Sequence, residues 1–482
     1  MSILDLIILT PIVAAFLILA GGGARAVAFG ATILNLVLGV AAVVFFVAAD
    51  GDGFKLTASR LLLENPELSF SVGVDGMSLV LLILTVIVSV SAVWVSPAKL
   101  EGGRERLYYV SILLIIAGAL GAFCSTDLFF FYAFHELALI PTFLMIGIWG
   151  HGKDKVAVAW KITIYLGVGS LVLLAGLIAL YSAASGGHAT FDIPTLLKAD
   201  IDPGAQKWIF LVLLIGFGTL VSLFPFHSWA APAYAAAPTP VAMLHAGVLK
   251  KFGLYGLLRL AMPMLPDGFK EWEGLLLVLL LGNIIIIGLV TISQRHLDKM
   301  LGNSSVMHMG YAFLGIACYN EIGWNGAVLM MFAHGISIAL LFALNGSLRE
   351  KLPTLELVQL GGVGKVAPVL ALTFGFAAFA SIGLPGFANF ASEITIFFGA
   401  FKNFDAEAGL SSLQIATIIA LWGVVISAVY MLRAYRNIFQ GDTLTKLDGV
   451  SDLSSAVRWP VILLIVSLLV TGFFPNLLLR LL

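Results

Sequence analysis

Long apolar runs, separated by short polar or Gly- and Pro-rich segments, follow one another along the whole chain. A membrane-spanning helix needs roughly 17–25 predominantly apolar residues, and the pattern predicts about fourteen such spans. The predicted fold class is therefore an all-α polytopic membrane protein, with a single membrane domain over residues 1–482. The spans centre near Ala14, Leu38, Leu84, Ile115, Leu139, Leu171, Leu214, Lys250, Leu281, Leu314, Phe332, Ala380, Val424 and Ile465.

Composition supports the membrane assignment and excludes several classes of function. Of the 482 residues, 60% are hydrophobic and 11% are charged, whereas a soluble domain carries roughly 25% charged residues. The net charge of −1 argues against a nucleic-acid partner. Cys124 and Cys318 both lie in apolar segments, which argues against a disulfide framework, an iron–sulfur cluster or a zinc site. The N-terminal segment lacks a basic region and is interpreted as the first span.

Basic residues in the loops predict the orientation, because cytoplasmic loops carry an excess of Lys and Arg. Fifteen of them follow odd-numbered spans and seven, Arg259 included, follow even-numbered spans. The odd loops are therefore predicted to be cytoplasmic, and both termini are predicted to face outward. The alternating stretch Leu68–Val74 in an outward loop predicts a short strand that ends at Asp75-Gly76.

Two spans contain strong helix breakers. Spans seven and twelve lie five apart, and an odd offset reverses the direction of a helix through the membrane. The pattern predicts two five-helix repeats of inverted topology, residues 106–262 and 272–438, with discontinuous helices 7 and 12. Interrupted helices at matching positions are a pointer to a transport path, although Pro and Gly can also simply bend packed helices. The breakers are Pro225, Pro232, Pro238 and Pro240 in span seven and Gly383-Leu-Pro-Gly in span twelve.

Titratable residues occur inside the apolar runs. Glu136 lies in the middle of 128–149, where an unpaired charge costs at least about 2.5–3.5 kcal/mol. Two opposite charges about 4 Å apart gain about 4 kcal/mol at an effective dielectric constant near 20, so the charge on one group strongly affects the protonation of its neighbour. This pattern favours ion movement. The other candidates are Lys161, Lys250, Lys251, Glu393 and several histidines.

Five stretches, taken in order, resemble the antiporter-like subunits of respiratory complex I, and most closely the subunit M (chain 4) family. Each is a weak signal alone, but their order and spacing cover nearly the whole chain. They are Phe70-Ser-Val-Gly-Val-Asp-Gly-Met-Ser-Leu79; Phe129 to Thr142 with Gly147 to His151; Pro225-Phe-His-Ser-Trp229 with Ala237 to Val241 and Ala246 to Lys251; Ser304 to Gly310 with Ala333-His-Gly335; and Gly383 to Glu393.

The resemblance implies residue roles and a function. Glu136 matches the acid of span five, Lys251 the central lysine of span eight, and Glu393 the acid of span twelve; His308 and His334 match the histidines of spans ten and eleven. Together they would form a hydrated axis near mid-membrane. The subunit would translocate protons, driven by redox chemistry elsewhere. NADH, FMN, iron–sulfur clusters and quinone are expected in partner subunits and none in this chain, whose partners would be the neighbouring antiporter-like subunits.

The sequence leaves two possible roles open for each of two further residues, Lys161 and His227. Lys161 either lies in the path or extends to the cytoplasmic surface. His227 either relays protons or caps broken backbone. His245 lies six residues before Lys251, off its helical face, and is interpreted as structural.

The chain also departs from the family. The family has a lysine in span seven that pairs with the span-five acid, and this chain has Leu220 there. Phe210 to Ala237 contains no Lys, Arg, Asp or Glu. Tyr234 replaces a family histidine. Either His135 or Lys250 takes over as the partner of Glu136, which we favour, or the pair is degenerate and the subunit only transmits coupling.

Three other functions share features with the sequence. A subunit of an Mrp-type cation/proton antiporter or of a membrane-bound hydrogenase shares the motifs. A non-pumping scaffold agrees with Leu220. A stand-alone solute carrier is disfavoured, because the titratable groups are spread along a line rather than gathered in one pocket.

Overall fold

The computed structural model describes residues 2–51, 53–64, 67–97, 100, 103–184, 190–407, 409–442 and 450–482. Each of the predicted span centres lies inside a helix, which confirms a mostly helical membrane protein. Within the described ranges, eleven helices are long and apolar enough to cross a membrane. The count of fourteen remains a prediction, since the apolar helices Ile3–Leu19 and Pro368–Ile382 are shorter than these eleven.

The described part of the first half of the chain contains nine helices and a two-stranded sheet. The helices are α1 (Ile3–Leu19), α2 (Ala24–Ala48), α3 (Gly76–Val95), α4 (Glu105–Cys124), α5 (Leu128–Trp149), α6 (Lys155–Ala184), the short α7 (Ile193–Leu196), α8 (Pro203–Val221) and α9 (Ala230–Ala236). The strands are β1 (Lys55–Glu64) and β2 (Glu67–Val74).

The second half is helical throughout its described part, apart from connecting loops and short 3₁₀ turns. Its helices are α10 (Thr239–Met264), α11 (Pro266–Ser293), α12 (Leu297–Ala317), α13 (Glu321–Lys351), α14 (Pro368–Ile382), α15 (Ala388–Phe401), α16 (Ser412–Phe439), α17 (Ser455–Phe473) and the short α18 (Asn476–Leu479).

Helices α10 and α13 form the centre of the molecule, and their apolar windows are buried on every side. A helix that is apolar all round is expected to be buried in this way. Two glycines let them cross closely: a Cβ on Gly335 would lie 2.7 Å from the carbonyl oxygen of Gly247. Lys251 of α10 and His334 of α13 come into contact near this crossing.

The antiparallel hairpin β1–β2 confirms the strand predicted at Leu68–Val74. Its partner strand β1 was not predicted. The hairpin leads directly into α3, whose first turn is capped by Asp75: its Oδ1 accepts a hydrogen bond from Ser78 N at 2.9 Å. Such caps satisfy the free N–H groups at a helix start.

The break in span seven follows Val221, where Ser222 adopts φ +68°. Asn283 of α11 supplies hydrogen bonds to the interrupted backbone. Its Nδ2 donates to Ser222 O at 3.1 Å, and its Oδ1 accepts from Phe224 N at 2.6 Å. A buried side chain therefore replaces part of the lost helical ladder, as non-helical backbone at membrane depth requires.

The break in span twelve follows α14, where Gly383 adopts φ +82°. In a regular helix the carbonyl of Ser381 would accept from the N–H of residue 385, but that residue is Pro385 and has none. The Ser381 carbonyl is therefore free for another donor. Both breaks that the Pro and Gly residues predicted are present.

Three π-helical turns were not predicted: His245–Leu249 and Leu257–Ala261 within α10, and Gly282–Ile287 within α11. The sequence-based assignment of Arg259 to an outward loop was wrong. It lies in α10 with 8% of its surface exposed, and its guanidinium is 2.6 Å from Asp75 Oδ1. The ion pair offsets the cost of burying this charge.

Candidate functional site

Glu136 lies on α5 beside α6, and about a third of its side chain is exposed. Its Oε1 accepts a hydrogen bond from Ser170 Oγ of α6, which also contacts Tyr132 OH at 3.0 Å. The nearest basic group in the described part of the chain is His135, whose Nδ1 is 3.4 Å from Glu136 Oε1. Two hydroxyls and an imidazole therefore surround the carboxylate, rather than a lysine.

His135 connects this acid to the centre of the molecule. Its buried ring stacks on Phe252 of α10, with 4.1 Å between ring centroids and 19° between planes. Beyond the contact with Glu136, no hydrogen-bond partner for Nδ1 is found in the described part of the chain. The nitrogen is therefore available to bind or release a proton beside Glu136.

Lys250 and Lys251 directly follow the first π-turn of α10, and both are fully buried. The Nζ of Lys250 donates to Ser305 Oγ of α12 at 3.3 Å. The Nζ of Lys251 donates to Ala246 O at 2.6 Å and lies 2.9 Å from His334 Nδ1 of α13. The two ammonium groups therefore face different helices, and it is His135 rather than Lys250 that contacts Glu136.

The contacts continue from His334 to His308, whose rings are 5.8 Å apart. His308 Nδ1 lies 2.8 Å from Ser304 O, and its Nε2 lies 2.8 Å from Ser381 O. A carbonyl oxygen can only accept, and a neutral imidazole has a single N–H. Both hydrogen bonds form together only when His308 carries two protons. The protonation of His308 is therefore linked to its hydrogen bond with the Ser381 carbonyl at the break after α14.

Glu393 lies on α15, next to the same break, and is 3% exposed. Its carboxylate packs against Gly383, where an added Cβ would lie 2.5 Å from Glu393 Oε2. Any larger residue at Gly383 would displace the acid and would also adopt a strained backbone conformation. The glycine therefore allows the acid to approach the broken helix.

Lys161 and His227 lie near the break of span seven. Lys161 Nζ is 5.9 Å from the centre of the Tyr165 ring, and Tyr165 OH accepts from Ser228 Oγ at 2.8 Å. The His227 ring stacks on Phe224 at 5.5 Å. The described contacts do not join either residue directly to Glu136, Lys250 or Lys251.

His245 and Tyr234 were not among the predicted site residues, yet they lie inside this region. The Tyr234 hydroxyl is 3.2 Å from His245 Nδ1. Helical-wheel geometry placed His245 off the face of Lys251, but the π-turn between them alters that relation. No sequence signal for the π-turn was available. Elsewhere, the described residues contain no group of three His, Cys, Asp or Glu side chains arranged to hold a metal.

The sequence matches the family described as NADH:quinone oxidoreductase/Mrp antiporter, transmembrane region, over residues 125–413. It is 35% identical to an NAD(P)H-quinone oxidoreductase chain 4 of Picosynechococcus sp., over 88% of this chain and 79% of that protein. The chain belongs to this family. A second chain 4, from Gloeobacter violaceus, is 34% identical over 98% of this chain and 90% of that protein.

Two solved structures agree with the fold. A chain of respiratory complex I from Thermus thermophilus, with bound NADH, matches with a TM-score of 0.88 and 28% identity over 99% of this chain and 97% of that one. The Mrp complex from Dietzia sp. matches with a TM-score of 0.84 and 21% identity over 99% of this chain and 95% of that one. At that identity the second match shows the fold alone. The family match, the chain 4 relatives and the complex I structure identify this chain as an antiporter-like complex I membrane subunit.

Proposed function

We propose that this chain is a proton-translocating, antiporter-like subunit of the subunit M (chain 4) type in a complex I-type NADH–quinone oxidoreductase. It would lie in a bacterial plasma membrane with both termini periplasmic, beside other antiporter-like subunits of the membrane arm. NADH, FMN, iron–sulfur clusters and quinone would be bound by partner subunits. Membership of the family supports this proposal, and so does the chemistry of the buried groups.

One observation carries the proposal: buried titratable side chains follow one another across the centre of the molecule. Glu136 contacts His135, Lys251 contacts His334, and His308 follows. Isolated buried charges are too costly to be retained as packing. A series of acids and bases within interaction distance instead allows each charge to change the proton affinity of the next.

Moving protons out of the cell against the membrane potential requires an input of energy. Moving one charge against 100 mV requires about 2.3 kcal/mol, so protons must be driven across. We propose that redox chemistry in the partner subunits changes the charge at one end of the axis. The pairs Glu136–His135 and Lys251–His334 then exchange protons in turn, and Glu393 releases them to the outer side.

We propose that His135 takes the role of the span-seven lysine of the family, because Leu220 occupies the position of that lysine in this chain. Its Nδ1 faces Glu136 Oε1 at 3.4 Å, and an imidazole nitrogen can either accept or donate a proton. Lys250 is proposed to act further along the axis, toward Ser305. The roles of Lys161 and His227 are proposed to be in the cytoplasmic approach to the axis, beside the broken span.

The two inverted repeats, residues 106–262 and 272–438, also remain a proposal. In each half the interrupted span ends its first helix with a residue of positive φ, Ser222 in one and Gly383 in the other. Matched interruptions of this kind are typical of transport paths built on repeats.

The test uses the assembled complex in inverted membrane vesicles, with quinone reduction and proton uptake measured on the same sample. The variants Glu136→Gln, His135→Gln and Lys251→Met remove one titratable group each. We expect fewer protons translocated per electron pair in all three, because each variant interrupts the series of titrating groups.

The matched control is Lys270→Met, which removes an exposed lysine that pairs with Asp267 on the surface. This control is expected to pump normally. Normal proton translocation in assembled Glu136→Gln and Lys251→Met complexes would contradict the proposal.

A second candidate, a non-pumping scaffold, is favoured by one observation. Leu220 is 4% exposed and occupies the position where the family has its lysine. A scaffold predicts that all three variants assemble and leave proton translocation unchanged. An Mrp-type antiporter subunit would instead be indicated by neighbouring genes that lack quinone-site and cluster-binding subunits.

A further inference from the structure

Asn283 of α11 is a buried amide whose hydrogen bonds reach two other parts of the chain. It is 0% exposed and lies in the π-turn Gly282–Ile287. Two of its hydrogen bonds hold the break in span seven, at Ser222 O and Phe224 N. Its Nδ2 also donates to Val306 O of α12 at 2.8 Å. One side chain therefore joins the broken backbone of span seven to α12.

Two glycines let α11 lie this close to both neighbours. A Cβ on Gly282 would be 2.7 Å from the Phe224 ring, which belongs to the break in span seven. On the other side, a Cβ on Gly310 of α12 would be 2.9 Å from the Leu280 carbonyl oxygen of α11. The π-turn is therefore packed directly between the break and α12.

The same part of α12 also contacts the break in span twelve. We call residues 304–308 the α12 turn. Within it, His308 Nε2 lies 2.8 Å from Ser381 O at the break after α14. The Ser305 hydroxyl of this turn accepts from Lys250 Nζ at 3.3 Å. Five consecutive residues of α12 are therefore in contact with a buried lysine and, with Asn283 as the intermediate, with both broken spans.

Break seven has no charged residue of its own. From Phe210 to Ala237 the sequence contains no Lys, Arg, Asp or Glu. A change of charge elsewhere therefore reaches this backbone through hydrogen bonds and packing rather than through an ion pair. Asn283 supplies such a hydrogen-bonded connection.

Charged and titratable groups surround the α12 turn on several sides. They come from α10, α13, α15 and α16, and from α12 itself. These groups are Lys250, Lys251, His334, Glu393, Tyr430 and Tyr311.

We infer that Asn283 is a positioning residue that couples the break in span seven to the α12 turn, and through His308 to the break in span twelve. The inference rests on the proposed function and adds a link between the two halves of the chain. With two protons, His308 donates to both Ser304 O and Ser381 O; with one proton it donates to only one of them. The contact of the α12 turn with break twelve therefore changes with the charge of His308, and Asn283 transmits that change to break seven.

The first experiment measures hydrogen–deuterium exchange in the assembled complex, which reports local opening of the backbone. Two segments are compared, residues 222–228 at break seven and residues 381–387 at break twelve. His308→Leu removes both hydrogen bonds of the imidazole and is expected to speed exchange at 381–387. Because of the coupling, exchange at 222–228 should also rise, although the described contacts of His308 do not reach that segment.

Asn283→Leu then tests the connection itself. This variant alone should raise exchange at 222–228, because Phe224 N loses its acceptor. Adding His308→Leu to it should change only 381–387 further. If the His308→Leu complex does not assemble, His308→Gln takes its place with the same expected pattern.

The second experiment measures protons translocated per electron pair. Asn283→Leu is expected to lower this ratio while quinone reduction is retained. Asn283→Asp keeps an oxygen for Phe224 N but offers at most one donor in place of two, so its loss should be smaller. The ratio does not depend on how much complex assembles, and a purely stabilising role of Asn283 would leave it unchanged.

Asn35→Leu is the matched control. Asn35 lies on α2, is 1% exposed, and has no hydrogen-bond partner for its amide within the described ranges. We expect this variant to keep the proton yield and the exchange at both segments. Losses equal to those of Asn283→Leu would show a general effect of removing a buried amide and would overturn the specific role.

Glu136→Gln, measured in parallel, separates the coupling from the proposed function. If Glu136→Gln loses translocation while His308→Leu leaves exchange at 222–228 unchanged, the coupling is wrong and the axis stands. A full proton yield in Asn283→Leu would also overturn the coupling, because Asn283 would then only cap the break. Normal pumping by Glu136→Gln would contradict the proposed function itself, whereas the exchange at 222–228 tests the coupling independently of pumping.

Discussion

Among single residues, the pair Asp75–Arg259 ties the β-hairpin and α3 to the far end of α10. The Arg259 guanidinium contacts Asp75 Oδ1 at 2.6 Å and Ser78 Oγ at 3.2 Å. Burial alone would raise the pKa of Asp75, but the charge and hydrogen bond of Arg259, together with Ser78, hold that pKa below its ordinary value of 3.8. The carboxylate therefore stabilises the fold above that value and loses this contribution as the pH falls through the lowered pKa.

The variant Asp75→Asn leaves the Arg259 charge buried without an ionic partner. Breaking a buried pair costs about 3–5 kcal/mol, and we expect the low end of that range because Asp75 is partly exposed. Thermal unfolding in detergent should show a lower melting temperature at pH 7. The difference from the unaltered protein should shrink as the pH falls from 3.8 through the lowered pKa of the folded protein, because Asp75 then becomes neutral as well.

Asp267→Asn is the matched control, since its partner Lys270 is 70% exposed, and exposed pairs contribute roughly 0–1 kcal/mol. An unchanged melting temperature for Asp75→Asn at pH 7 would show that Arg259 is satisfied without the ion pair.

The sequence identified the titratable residues but not which of them touch. Glu136, Lys251 and Glu393 were found from a charge in an apolar run, a signal that needs no structure. The contact of Lys250 with Ser305 and of His135 with Glu136 depends on helix rotation. The assignment of Arg259 to a loop failed for a related reason. Counting basic residues along the chain does not reveal an ion pair with Asp75, which lies 184 positions away in the sequence.

At the scale of elements, the crossing of α10 and α13 sets the distance between Lys251 and His334. Gly247 and Gly335 lie at the point of contact, and the virtual Cβ of Gly335 is also 2.6 Å from a Leu84 methyl group. A leucine methyl can move, but the Gly247 carbonyl belongs to the backbone of a buried helix. The crossing therefore tolerates no added carbon without moving the helices apart.

Gly335→Ala is expected to destabilise the protein by about 1–3 kcal/mol, the usual cost of overpacking, and to lower proton translocation by lengthening the Lys251–His334 contact. Gly30→Ala on α2 is the control, because a Cβ there meets open space. That change should leave translocation intact and the melting temperature unchanged or slightly raised. Equal melting temperatures and proton yields for the two variants would contradict the close crossing.

The interrupted spans were predictable because their cause is local. Proline lacks an N–H and glycine permits positive φ, so both breaks could be inferred from the residues themselves. The carbonyl that Pro385 leaves free at Ser381 also follows from the sequence, but its partner His308 does not. The π-turns of α10 have no such marker residue, and they were missed.

At the scale of the whole molecule, the bias of Lys and Arg predicts which loops face the cytoplasm. The two native cysteines, Cys124 and Cys318, are buried, so single cysteines placed on the surface can be labelled against a low background. Lys299→Cys is expected to react only from the cytoplasmic side and Lys207→Cys only from the periplasmic side. Membrane-impermeant maleimide applied to intact cells and to inverted vesicles measures this.

The reverse labelling pattern would show that the termini are cytoplasmic. Labelling of both positions from one side would show instead that the number of spans between them is even.

The overall fold could be predicted to a greater extent than the site. The length of the apolar runs predicts the membrane-spanning helices, and the order of the motifs indicates the family. The strand β1 was missed because its apolar and polar residues alternate only weakly along the sequence, and most of the strand is exposed. The contact between Tyr234 and His245 was missed because it joins α9 to α10 beside an irregular turn.

That irregular turn has a consequence for how the chain can vary. A π-turn takes up one extra residue within a single turn of helix, so the residues after it keep nearly the rotation of a regular α-helix that lacks that residue. Deleting one residue between His245 and Leu249 would therefore convert the π-turn into an α-turn and leave Lys251 facing His334, whereas a deletion in a regular part of α10 would rotate the side chains after it by about 100°. The family can therefore gain or lose a residue at this turn without changing which helix the lysines face.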